Sequence, residues 1–379
     1  MNLNENHMYY YGLHISDLHF GSVDNSKFIN ELNNVFFKYI NENYKHLDYI
    51  TINGDLFDRK IGLNEKYSKS VIAFVDKLSQ LIAKTNNHIK IRIIKGTKTH
   101  DFNQLSNFKY LEIQYPNNFR IINVFELEEL FNNFKVLYLP EEYMEDQNEY
   151  YKDIKEKLAK EPCNIILGHG TWDVFAFDNQ REESERNIKG SPVLKFDEWK
   201  NLTTGPIIFG HIHNRNSYLN KLYYTGSFSR WQFGEDDPKG FMVSAINKID
   251  NDYKVEYINN IEAYEYKTFK LSEFINEKEK DIDKAIKKID KLKDKYFKVK
   301  IKVDVKIPDE NKAILKESFS NNEGVKLENK NNLKDKEVDD KYKFLDDNNS
   351  AIKNIQLFVK ASSNYDLSED EIKHFLIEE

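Results

Sequence analysis

Five short apolar runs each end in a turn that carries aspartate or histidine. The runs are Tyr11-Gly12-Leu13-His14-Ile15, Tyr49-Ile50-Thr51-Ile52, Ile91-Arg92-Ile93-Ile94, Asn164-Ile165-Ile166-Leu167 and Pro206-Ile207-Ile208-Phe209. The turns are Ser16-Asp17-Leu18-His19, Gly54-Asp55-Leu56-Phe57-Asp58, Gly96-Thr97-Lys98-Thr99-His100-Asp101, Gly168-His169-Gly170 and Gly210-His211-Ile212-His213. Isoleucine-rich runs of this length, bounded by glycine, predict buried strands. Their polar ends then gather at one edge of a sheet, where α/β proteins place their sites.

What lies between the runs agrees with this. Phe28, Leu32, Val35, Phe36, Tyr39 and Ile40 fall at helical spacing within 26–45, and Val71, Phe74, Val75, Leu78 and Ile82 do so within 65–84. Strand, helix and strand alternating at this length predict a largely parallel sheet. Beyond Asp101 the rhythm changes: short strands are expected at 119–122 and 134–140, and a polar helix over 146–160. Hairpin-like strands are expected at 222–227, 240–245 and 253–257, with a second sheet as their home.

From Ile261 the chain turns to dense alternating lysine, glutamate and aspartate, so a domain boundary is expected near Glu265. A solvated helix over 277–296, a half-exposed strand over 298–305, a short helix over 310–318 and a strand near Val325 follow. Helices are expected over 351–361 and after Ser368, where Ser368 and Glu371 form a capping box. A terminal helix bearing Ile372, Phe375, Leu376 and Ile377 has more apolar surface than it can readily hide, and should dock on something.

Composition matters mainly for what it excludes. With 40% hydrophobic residues and only 14 Gly and 7 Pro in 379, the chain is a folded and not a disordered one. A net charge of -7 and a pI near 5.9 argue against gripping nucleic acid by bulk electrostatics. The single cysteine, Cys163, excludes an intramolecular disulfide and any cysteine-cluster metal site, and reads as a small buried hydrophobe in a reducing compartment. With no apolar leader-like region at the start and no apolar run long enough to cross a bilayer, no membrane partner is expected and a cytoplasmic location is.

The turns hold the residues that phosphoester hydrolysis needs. Two divalent ions about 3.5–4 Å apart can lower the pKa of a shared water toward ~7 and clamp phosphoryl oxygens, given a bridging carboxylate and flanking imidazoles. Asp17 and His19, two apart in an extended turn, point the same way and can share an ion, as can His211 and His213. Asp55 is placed to bridge, and His169 completes the set. His100 could act as general acid or steady the phosphate. Asp58 and Asp101 suit either the orienting of imidazoles or the capping of a helix start. His7, His14, His46, His88 and His374 match no motif and read as structural.

As an ordered series, DLH, GDLFD, GTKTHD, GHG and GHIH resemble the calcineurin-like metallophosphoesterases over about Tyr9 to Ala245. GDLFD, GHIH, Tyr224-Thr225-Gly226-Ser227 and Lys239-Gly240-Phe241 are similar to the SbcD-type exonuclease subunit of DNA-repair complexes. The resemblance implies an α/β (α+β) fold of two stacked mixed sheets flanked by helices over 1–265. It also implies a small capping domain over 266–345 and a helical partner-binding segment over 346–379. Two manganese ions are implied, one held by Asp17, His19, Asp55 and His213 and the other by Asp55, His169 and His211, with His100 as the catalytic histidine. The implied partners are DNA, as single- or double-stranded ends, and an SbcC-like coiled-coil ATPase; a homodimer is a further expectation. A phosphatase or cyclic-nucleotide phosphodiesterase on the same scaffold, and an assembly subunit that has lost its chemistry, are the alternative readings.

One motif departs from the family. The pattern there is Gly-Asn-His-Asp, with the Asn oxygen on the second ion, whereas 96–101 is longer and has no Asn. Thr97, Thr99 or Gln104 are the candidates to lend an oxygen, and a weaker second metal site is the expected result.

Overall fold

A computed structural model describes residues 8–22, 25–62, 64–175, 193–275, 282–294, 296–319 and 324–329, together with 356, 360 and 368. The chain divides into two compact units, Met1–Tyr266 and Lys267–Glu379. Of the helix expected over 351–361 only Gln356 and Lys360 are described, and of the capping box of Ser368 and Glu371 only Ser368; the rest of both, with Ile372, Phe375, Leu376 and Ile377, falls outside the described residues.

The first unit opens with the four strands β1 (Tyr9–Ile15), β2 (Tyr49–Asn53), β3 (Lys90–Ile94) and β4 (Phe119–Ile122), parallel throughout. There follow β5 (Glu126–Phe131), β6 (Phe134–Leu139), β7 (Ile165–His169), the two-residue strands β8 (Thr171–Trp172) and β9 (Val193–Leu194), β10 (Ile207–Gly210), β11 (Asn216–Tyr218) and β12 (Leu222–Tyr224). Two long strands, β13 (Gly240–Asn247) and β14 (Tyr253–Asn259), end the series.

Two six-stranded mixed sheets result, ordered β14-β13-β1-β2-β3-β4 and β11-β12-β10-β7-β6-β5. The hairpin-like strands do not share a sheet as expected. β12 runs parallel to β10 in the second sheet, whereas β13 and β14 pair antiparallel at the edge of the first. Gly240 to Ile246 is buried at every position, which suits a strand covered on both faces between β1 and β14. The charged strand β5 escaped the sequence reading because an edge strand need not be apolar.

The fold is layered. Tyr49, Ile94, Tyr138, Ile165, Leu167, Ile208, Met242 and Ile246 form a core contributed by both sheets. The helix Lys66–Lys84 buries Val71, Phe74, Val75, Leu78 and Ile82 in a separate core against the first sheet, as its periodicity predicts. The helix expected over 26–45 forms with a π-helical middle, Leu32–Phe37, whose wider turn lets both Phe36 and Phe37 face inward. On the second sheet's outer face Leu137, Ile166, Phe209, Trp172 and Trp199 pack together. Arg92 of β3 joins the sheets with a bidentate grip on Glu128 of β5 at 2.6 and 2.8 Å. Cys163 is buried, and burial pushes its thiol up to about 11.

The second unit holds a three-stranded sheet, β15 (Tyr266–Lys270), β16 (Lys298–Val303) and β17 (Val325–Asn329), the last two parallel. Helices Ile282–Asp290 and Asp309–Phe319 contribute Ile282, Ile289, Leu315 and Phe319 to a core with Leu271, Val299 and Ile301. Among the described residues, no helix is long and apolar enough to cross a membrane.

Candidate metal centre

The C-terminal ends of β1, β2 and β3 from one sheet and of β6, β7 and β10 from the other bring their polar residues together. Three groups of possible ligands result, Asp17-His19-His213, Asp17-Asp55-His169 and His19-Asp55-His100, with ligand atoms within 4.8 Å of one another in each. A fourth, Glu141-His169-His211, meets the same limit and includes a residue the sequence reading did not single out.

The backbone is strained where these residues sit. Asp17, His19 and Asp55 have φ of 52, 42 and 51°, and His211 has 103°. Non-glycine residues held there cost roughly 1–3 kcal/mol each and persist only where their surroundings fix them, and such strain concentrates at functional sites. The first two turns brace each other: Asp17 N–H donates to the Gly54 carbonyl at 3.2 Å, His19 N–H to that of Asp55 at 3.1 Å, and Phe20 N–H to that of Leu56 at 3.0 Å. Gly54 must be glycine for a further reason, since a Cβ there would lie 2.1 Å from Nδ1 of His169.

In the first cluster Nε2 of His19 and Nε2 of His213 approach to 3.0 Å. Two nitrogens sharing one ion at about 2.1 Å each, a right angle apart, would be separated by about this distance. Asp17 accepts from the His211 N–H at 3.1 and 3.2 Å and from the Ser16 hydroxyl. Asp58 Oδ1 is 3.5 Å from Nδ1 of His19, so this aspartate does face an imidazole. Nδ1 of His213 pairs with Glu235 at 2.8 Å. Burial opposes ionisation of Glu235, but the His213 bond and charge and the Lys239 ammonium outweigh it and hold the carboxyl down to about 2.

In the second cluster Asp55 Oδ2 is 3.2 Å from Nε2 of His169, and Nδ1 of His169 meets the Asn53 carbonyl at 2.8 Å. Both rings and the carboxylates are buried. Burial works against the charge on Asp55, yet His169, His100 and His19 together keep its carboxyl well below the ordinary range. Burial drives the His211 imidazole down to about 3, with the His169 charge adding to the effect. A ring kept neutral in this way is in the state a cation would need.

His100 closes the set. Its Nδ1 meets the carbonyl of Asp58 at 2.5 Å, which leaves Nε2 as the atom to serve the cluster of His19 and Asp55. Asp101, expected either beside an imidazole or capping a helix start, instead clasps two turns: it accepts from the N–H groups of Phe57 at 3.1 Å and Gly96 at 2.7 Å. Burial, reinforced by the charge of Asp55, pushes its carboxyl up to about 7.

Of the three residues considered for the missing asparagine, Thr99 is exposed. Gln104 is committed elsewhere: its oxygen accepts from the Ile61 N–H at 2.6 Å, and its amide donates to the Arg59 and His100 carbonyls. Thr97 does lie in the cluster, with its hydroxyl 3.2 Å from Asp55, 3.2 Å from Glu141 and 3.3 Å from His169.

Around the site, Trp231, Glu235 and Glu141 carry no motif, whereas Lys239 opens the Lys239-Gly240-Phe241 segment already noted. Trp231 donates from Nε1 to the Asp17 carbonyl at 3.0 Å, and Lys239, fully buried, donates to the His213 carbonyl at 2.9 Å. Trp231 and Glu235 lie in a loop without periodicity, which offers no signal. Glu141 follows Leu139-Pro140 at the end of a predicted strand, a position common to any strand exit and so no signal by itself.

The calcineurin-like phosphoesterase family matches residues 13–215, more than half of the chain. No curated protein matches the chain. Of the solved structures, one crystal structure aligns with 66% of this chain and 99% of its own at 16% identity, with a TM-score of 0.39, a likeness too loose to argue from.

Proposed function

We propose that this chain, which belongs to the calcineurin-like phosphoesterase family, is a DNA-cleaving phosphodiesterase that works as the nuclease subunit beside an SbcC-like ATPase. Membership makes it a hydrolase of phosphoesters that uses divalent metal; DNA, manganese and the ATPase are the parts proposed. On this reading Asp17, His19, Asp55 and His213 hold one ion, and Asp55, His169 and His211 the other. The residues suit that task. Their imidazoles and carboxylates are buried against one another, and two ring nitrogens stand at the 3.0 Å spacing that a shared ion would set.

Bound there, divalent cations would neutralise phosphoryl charge and make water nucleophilic near neutral pH. The chain's own work is placement and proton transfer. The backbone carbonyl of Asp58 holds His100 through Nδ1, so that Nε2 can hand a proton to the leaving oxygen. Asp101 ties the His100 turn to the Asp55 turn and so fixes the distance between acid and carboxylate.

The observation that carries the nuclease reading is the position of the two segments that resemble SbcD-type subunits. From Tyr224-Thr225-Gly226-Ser227, Thr225 Oγ1 reaches Ser16 Oγ at 2.5 Å and Ser227 N–H donates to the His213 carbonyl at 3.0 Å. From Lys239-Gly240-Phe241, the Lys239 ammonium meets the same carbonyl. Both segments therefore buttress ligand-bearing turns. The test is manganese-dependent hydrolysis of single- and double-stranded DNA against p-nitrophenyl phosphate and a cyclic nucleotide, with and without a coiled-coil ATPase from the same genome. Cleavage of DNA stimulated by the ATPase is expected. Preference for the small esters would favour a phosphatase or cyclic-nucleotide phosphodiesterase, and failure on every substrate an assembly role.

A further inference from the structure

We propose that Glu141, at the end of β6, supplies the oxygen that the family's turn asparagine would give, so that the second cation position carries two carboxylates in place of one. The inference rests on the two-ion reading above and concerns which residue completes it.

Glu141 is buried, and its Oε2 is 3.2 Å from Thr97 Oγ1, 3.4 Å from Nδ1 of His211 and 3.8 Å from Nε2 of His169. The other carboxylate oxygen accepts from the Tyr143 hydroxyl at 2.5 Å, and Glu141 N–H donates to the Lys95 carbonyl at 3.3 Å. The residue is thus anchored by its backbone and one oxygen, with the second oxygen aimed at the cluster. Asp55 Oδ2 approaches the same Thr97 hydroxyl and the same His169 nitrogen, each at 3.2 Å. One hydroxyl hydrogen cannot serve two carboxylates. Among the described residues no lysine or arginine pairs with Glu141. Two buried carboxylates that converge on one hydroxyl and one imidazole call for more positive charge than a single ring supplies, because an unpaired buried charge is costly.

Thr97 is engaged with the two carboxylates instead. Its N–H donates to Asp55 at 2.6 Å and its hydroxyl contacts both carboxylates, so it orients them. Exchanging a neutral amide for a carboxylate adds one negative charge to the position and favours the harder divalent ions, manganese and magnesium.

The test is manganese titration of metal-stripped protein, followed by calorimetry and by electron paramagnetic resonance, which separates a lone manganese from a spin-coupled pair. Wild-type protein should bind two ions and give the coupled signal. Glu141→Leu, which offers no oxygen where a glutamine would still present an amide oxygen, should keep the first ion and bind the second at least about tenfold more weakly, since loss even of an outer partner costs 10–100-fold. Should Glu141→Leu not fold, hydrogen exchange on wild-type protein decides. Manganese should slow exchange across 139–143 as much as across 165–171, and protection confined to the latter overturns the proposal. A variant that binds both ions as wild type does, with the coupled signal, also overturns it and leaves the two-ion reading standing. Wild-type protein that binds no manganese defeats both.

Discussion

The two sheets meet at one site but present their residues differently. The first sheet delivers Asp17, His19 and Asp55 on turns with left-handed backbone, interlocked by hydrogen bonds between them. The second delivers His169 as the last residue of β7 and Glu141 two residues past β6, with only His211 at positive φ. One edge therefore spends backbone strain to aim its side chains, and the other lets strand register do it. Strain must be supported by neighbours. The first edge should be the more sensitive to changes that loosen its turns, the second to changes of side-chain chemistry.

Asp55 is where the comparison is most easily broken, because it sits on the first edge yet faces His169 of the second. Asp55→Ala should reduce hydrolysis to background and lower bound metal more than any other single ligand change. Metal analysis that finds both ions retained would remove Asp55 from the bridging position.

His100 sharpens the contrast between holding metal and moving a proton. His100→Ala should leave metal content nearly unchanged while turnover falls by roughly two to four orders of magnitude, the usual worth of a positioned acid. Normal cleavage rates in that variant would make His100 a structural residue.

Much of this was legible because the first edge writes itself into local sequence. Aspartate or histidine in the turn that ends an apolar run is a short-range pattern: Asp55, His169 and His211 directly follow a glycine, and Asp17, His19, His100 and His213 stand in the same kind of turn. Glu141 could not, because Leu-Pro-Glu-Glu is an ordinary strand exit and only sheet order places it beside His169. β6 pairs with β7 in parallel, Leu139 opposite Gly168, and that register carries the next two residues to the cluster. The placement of β13 and β14 was missed for a similar reason: periodicity predicts a strand, not its neighbour. Asp101 illustrates a third case. An acid next to a motif histidine invites pairing with a ring, whereas two backbone N–H groups nearby made the stronger claim.

A substitution that adds no polar group tests the strain argument alone. Gly54→Ala forces a Cβ to within 2.1 Å of His169 Nδ1 at a φ of 83°. A loss of about 3 kcal/mol in unfolding free energy is expected, with metal affinity falling alongside it. An unchanged denaturant midpoint would mean that the first edge relaxes freely, and the contrast between the edges would lapse.

The smallest effect is expected at Glu235, which supports His213, the second sheet's imidazole in the first cluster. Glu235→Gln keeps the size of the side chain but removes the charge that steadies His213 through Nδ1, so affinity for the Asp17-His19-His213 ion should fall about 10–100-fold. The ion beside His169 should be unaffected, the reverse of the outcome for Glu141→Leu. In metal-stripped protein the same carboxylate gives a signature in pH. Its folded value near 2 lies below the ordinary ~4.3, so its contribution to stability is present above ~4.3 and is lost as pH falls toward 2. Wild-type protein should therefore exceed Glu235→Gln in thermal stability at pH 6, and the gap should narrow through pH 4 and close near pH 2. A gap that stays constant across that range would show that the His213–Glu235 contact holds geometry without contributing charge.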